Sequence, residues 1–114
     1  METLESRVSR LEYYIKLLSG TSEQEAKPFI DLVVRNQLTK KEVEEILILC
    51  EDTKNEYIEQ KAEGLTDFVP LLTQFVGMLN YKLNPRETVE SLRYQPSYQD
   101  VMNEFFEIIQ WIRD

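Results

Sequence analysis

The chain has 114 residues, 42% of them hydrophobic, and carries a formal net charge of −8, with no histidine and a single cysteine. That length and hydrophobic content fit one ordinary globular domain and argue against intrinsic disorder. The negative charge disfavours a phosphate backbone or an anionic membrane surface as partner, and the missing histidine removes the usual general base, the Ser–His and Cys–His nucleophile pairs and the commonest metal ligand.

The first predicted helix runs from about Thr3 to Leu18. Leu4, Val8, Leu11, Ile15 and Leu18 are spaced four, three, four, three, the seam spacing of a coiled coil. In heptad terms Val8 and Ile15 are a positions, and Leu4, Leu11 and Leu18 are d positions. β-branched residues at a with Leu at d favour two parallel strands. A second cue points to three: Arg7 at g and Glu12 at e bracket Val8 and Leu11. This arrangement resembles short trimeric coiled coils in which an Arg stem covers the core and pairs with a neighbouring Glu. The run is shorter than three heptads, so packing inside the subunit is the competing reading. Tyr14, also at g, is expected to pack on a neighbouring chain, and Ser19-Gly20 to end the helix.

A short second helix starts around Pro28, buries Phe29, Leu32 and Val33, and stops near Asn36. Thr39 and Glu42 form a capping box for the third helix, with Leu38 and Val43 as a hydrophobic staple. That helix reaches Gly64, a helix-ending residue. Its middle, Ile46 to Cys50, is apolar on every face, which predicts burial on all sides, at the centre of the subunit or between subunits. The fourth helix carries Phe68, Val69, Leu71, Leu72, Phe75, Val76 and Leu79, with Thr66 as the expected N-cap and Pro70 in the first turn. Gly77 marks either a close backbone approach or simple tolerance. A brief fifth helix opens at Asn84-Pro85-Arg86-Glu87 and buries Val89 and Leu92. The last helix is capped by Ser97 and presents Val101, Met102, Phe105, Phe106, Ile108, Ile109, Trp111 and Ile112 as a broad apolar stripe. The fold class is therefore all-α: five to six helices in a single domain over residues 1–114, with no strand alternation and no internal repeat.

Glu42, Glu45, Asp52, Glu56 and Glu59 are predicted to form a solvated face of the third helix. A di-metal bundle site needs Glu-x-x-His pairs, which the chain lacks. Cys50 follows an apolar run and precedes Glu51 and Asp52, a setting for a buried thiol rather than a nucleophile. No catalytic, cofactor or metal residues are assigned. The chain has no signal-peptide pattern and no run of about 20 apolar residues, so a cytoplasmic setting is expected.

The segments RLEYYIKLL, LTKKEVEEI, QKAEG, FVGMLNYKLNPRETVESL and YQDVMNEFFEII together resemble the YhaI-like family of small, uncharacterised, all-helical bacterial proteins. The resemblance covers nearly the whole chain. It implies a multihelical subunit intertwined with two others as a homotrimer, and it implies no activity and no site residue. The combined expectation is a non-enzymatic protein that partners with itself, as a trimer first and a dimer next. Leu4, Arg7, Val8, Leu11, Glu12, Ile15 and Leu18 form its interface. A further, unidentified protein is a possible partner; nucleic acid and membrane are not. The expected role is protein–protein interaction, scaffolding or regulation, and the alternative is a small-molecule binder or enzyme with a pocket between subunits.

Overall fold

The computed structural model describes residues 2–19 and 27–111, the side chains of Leu18 and Ser19 excepted. Six helices account for most of these residues: α1 (Leu4–Ser19), α2 (Lys27–Arg35), α3 (Lys40–Ala62), α4 (Val69–Met78), α5 (Pro85–Leu92) and α6 (Gln99–Trp111). The architecture is all-α and multihelical, as the periodicity required.

Helix boundaries follow local chemistry. At the start of α3 the Thr39 hydroxyl accepts from the Glu42 N–H, and the Glu42 carboxylate accepts from the Thr39 N–H, both halves of the capping box. The staple residues Leu38 and Val43 are both buried. The Asn84 side chain caps α5 by accepting from the Glu87 N–H.

Two helices end in the same way. At the end of α3, Gly64 takes a φ of 90°. The Leu65 N–H reaches the Gln60 carbonyl and the Gly64 N–H reaches the Lys61 carbonyl, the bond pattern of a Schellman motif. After α2 the motif repeats, with Leu38 N–H on the Val33 carbonyl and Gln37 N–H on the Val34 carbonyl. Here the left-handed position is Gln37, at φ 55°, where a Cβ is unfavourable.

Two cap assignments are corrected. Thr66 does not cap α4; the N-cap position is Phe68, and the Asp67 carboxylate accepts from the Val69 N–H instead. At α6 the Met102 N–H bonds to the Tyr98 carbonyl, so Tyr98 rather than Ser97 occupies the cap position. Gly77 is a case of tolerance: a Cβ there would meet nothing within 4 Å. The expected glycine cap at Gly20 and the stripe residue Ile112 lie outside the described residues.

The core lies among α2 to α6. α5 packs on α6 and α2, α3 on α4 and α6, and α4 on α6. Leu32, Val33, Val43, Ile46, Cys50, Phe75, Val89, Leu92, Val101, Met102 and Phe105 are all buried. The rings of Phe75 and Phe105 meet at 5.6 Å between centroids, joining α4 to α6. Tyr57 and Phe68 meet at 4.8 Å, joining the end of α3 to the start of α4.

α3 is not covered on every side by its own chain. Ile46, Leu49 and Cys50 are buried and Leu47 is half-buried, but Ile48 is 61% exposed. A single layer of neighbouring helices covers only part of a cylinder, so one side of the ILIL run stays open. α1 has α2 as its main helical partner. The radius of gyration, 15.2 Å, exceeds the roughly 13 Å of a compact domain of this length, as expected of a body with one helix laid outside it.

Candidate functional site

α1 has two working faces. At about 100° per residue, Leu4, Val8, Leu11 and Ile15 share one side of the helix, while Tyr14, Arg10, Leu17 and Tyr13 lie roughly 80° to 180° round from it. The second face is the one that attaches α1 to its own chain. Tyr14 is 6% exposed and its hydroxyl donates to the Leu38 carbonyl at 2.7 Å. Tyr13 and Leu17 pack against the core as half-buried neighbours. Burial raises the Tyr14 phenol above its ordinary value against the opposing pull of Arg10 and Lys82, so it remains a neutral donor to that carbonyl.

The first face is open. Leu4 is 75% exposed, Val8 44%, Leu11 53% and Ile15 62%. Arg7 and Glu12, which bracket this stripe, are exposed as well. The reading in which these aliphatic residues pack inside their own subunit is thereby removed for the four. The fifth, Leu18, lies outside the described side chains. The expectation for Tyr14 is corrected: it sits against its own chain, because its hydroxyl finds the carbonyl that ends the α2–α3 turn.

Arg10 pairs with Glu2 at the start of the chain, and its Nε is buried with no protein acceptor. The Leu38–Thr39 turn that receives Tyr14 is itself held by Glu42. The Glu42 carboxylate accepts from Thr39 N–H at 3.0 Å, Asn80 Nδ2 at 3.0 Å and Lys82 Nζ at 2.9 Å. Burial pushes its pKa upward, but the hydrogen bonds from Lys82, the Thr39 backbone and Asn80 prevail and hold it at about 2. The same bond raises Lys82. Glu42 is thus the exception on the acidic face of α3: Glu45, Asp52, Glu56 and Glu59 are all exposed. Sequence spacing found Glu42 as a cap and missed its ties to residues about 40 positions away.

Two other candidates from the sequence resolve clearly. Cys50 is fully buried, and burial with the Glu51 charge pushes its thiol up to about 12, which disfavours the thiolate, the reactive form, near neutral pH. Trp111 does not join the core, being 87% exposed. Among the described residues, no three His, Cys, Asp or Glu side chains converge in a way that could hold a metal ion, and no helix is long and apolar enough to cross a membrane. The arrangement offers an apolar contact strip on a helix whose opposite face is anchored.

The chain belongs to a family of proteins of unknown function, DUF1878, whose model matches residues 1–110. The match takes in α1 to α5 whole and α6 up to Gln110.

Proposed function

We propose that this chain is a non-enzymatic, cytoplasmic protein that assembles with copies of itself through α1 and acts in protein–protein interaction, scaffolding or regulation. Three chains are the preferred assembly and two the alternative. The observation that carries this reading is the row of four exposed aliphatic side chains on a helix whose other face is packed. Fully burying each such side chain is worth about 1.5–3 kcal/mol, so water is an unfavourable environment for the row. The placement of Arg7 and Glu12 on either side of it favours three strands, as does the resemblance to YhaI-like proteins, which is part of the same proposal. The absence of histidine from the sequence and the sequestered Cys50 thiol favour a binding role over a catalytic one.

Light scattering coupled to size exclusion tests this. The expected mass is three times the 13.6 kDa of one chain, with twice that value as the alternative; a single-chain mass at micromolar concentration overturns the proposal. Leu11→Asp is expected to lower the mass, because a charge in the strip opposes its burial. An unchanged mass in that variant places the interface elsewhere.

A further inference from the structure

A cavity of about 260 Å³ lies between α3 and α4. That is just under the roughly 300–1,000 Å³ of sites for drug-sized ligands, so it suits a smaller molecule. Leu49 from α3 and Leu71 and Met78 from α4 give it an apolar side. Leu49 and Leu71 are buried, while Met78 is 64% exposed. Asp52, Thr53 and Glu56, all on α3, give it a polar side. Asp52 and Glu56 are four residues apart, which puts them on the same side of the helix, about 5–6 Å apart at Cβ.

Neither carboxylate is neutralised from within the described chain. The ion pairs of α3 engage Glu42 with Lys82 and Glu51 with Lys54, not Asp52 or Glu56. Glu56 accepts one hydrogen bond, from Gln60 Nε2 at 3.1 Å, of the roughly four that a carboxylate can take. Thr53 points to a ligand independently. It is only 5% exposed, yet its hydroxyl is not spent on the helix backbone. The Thr73 and Thr88 hydroxyls donate to the carbonyls four residues before them, at 2.9 and 2.8 Å. No such bond, nor any other among the described residues, engages the Thr53 hydroxyl. A hydroxyl withdrawn from water without a partner costs free energy, and Thr53 lines the cavity.

These groups converge on one kind of occupant. Two carboxylates and a hydroxyl can accept from a positively charged group with several N–H donors, and a primary ammonium carries three. The apolar side calls for a hydrocarbon body behind it. A bare metal ion is a poorer fit. Among the described residues no third His, Cys, Asp or Glu side chain joins the pair, and a hard cation takes about six or more oxygens. The net charge of −8 also favours a cation over an anion during approach. We infer that the α3–α4 cavity binds a small primary alkylammonium ion, with its nitrogen on Asp52, Thr53 and Glu56 and its hydrocarbon against Leu71 and Met78.

Hexylammonium at neutral pH is the probe, read by calorimetry and by the methyl resonances of Met78, at the cavity, and Met102, in the core. One saturable site per chain is expected, with a Met78 shift that Met102 does not share. Asp52→Asn and Glu56→Gln, both at exposed positions, should each weaken hexylammonium about tenfold, the effect of one charge-assisted hydrogen bond. The neutral comparator hexanol should bind more weakly and be unchanged by either. Thr53→Val, which keeps the shape of the side chain, should weaken hexylammonium about fivefold. Absence of saturable binding overturns the assignment, as does a hexylammonium affinity that survives both carboxylate variants. Calcium binding that is lost in Asp52→Asn, without hexylammonium binding, overturns it in favour of a metal ion.

Discussion

α1 and α6 carry the same kind of pattern, with apolar residues at three- and four-residue steps on a helix of similar length, yet their fates differ. Val101, Met102, Phe105 and Ile109 of α6 are buried by α3, α4 and α5. Leu4, Val8, Leu11 and Ile15 of α1 are exposed, and α1 is held instead by Tyr13, Tyr14 and Leu17. Periodicity thus announces that a face will be apolar without saying what covers it. The difference lies in the number of neighbours: α6 is surrounded, and α1 has α2 as its main helical support.

The contrast can be broken most sharply with truncations in each stripe. Phe105→Ala, which empties a fully buried site against Phe75, should cost about 3–5 kcal/mol. Leu11→Ala, measured in urea at concentrations where the chain is alone, should stay within about 0.5 kcal/mol. Comparable losses would mean that α1 is as deeply packed as α6.

The attachment of α1 to the body can be sharpened through the turn that receives it. Glu42→Gln should cost about 2 kcal/mol at neutral pH, the worth of hydrogen bonds to a charged group. The folded protein holds the Glu42 carboxyl at about 2 against an ordinary 4.5, so the unfolded chain takes up its proton first as pH falls. The contribution is complete above about pH 4.5 and is lost on the way down to about pH 2. The gap between wild type and variant in urea midpoints should therefore close across that window. A gap that persists at pH 2 would assign the effect to packing.

Tyr14→Phe should cost about 1 kcal/mol by leaving the Leu38 carbonyl without its donor. Amide exchange should then quicken along α1 ahead of α6, which tests whether the outer helix opens separately. The smallest effect is expected at Gln37, whose left-handed backbone is better suited to glycine; Gln37→Gly should raise stability by up to about 1 kcal/mol.

What was legible in the sequence was what is local. The Thr39–Glu42 box, the Asn84 cap, the Gly64 terminus and the α6 stripe each involve residues within a few positions of one another, where helix geometry leaves little choice. The Tyr14–Leu38 bond spans 24 positions and the Glu42–Lys82 bond 40. Nothing in the spacing of either pair marks them, because they depend on how helices pack. Ile48 shows the same limit: an apolar run says that burial is favourable, while the count of neighbours decides where it happens, and its own chain leaves Ile48 open, which removes the centre of the subunit from the two expected places and leaves the contact between subunits. Thr66 was a plausible cap by residue type, but α4 starts three residues later, where Asp67 supplies the acceptor.

The sealed environment of Cys50 has a practical consequence. Because burial holds that sulfhydryl protonated and out of reach of solvent, a cysteine introduced at an exposed position such as Glu5 should take an alkylating dye well ahead of it. Spin labels or fluorophores placed there would report separations between neighbouring molecules, with no need to remove the native thiol first.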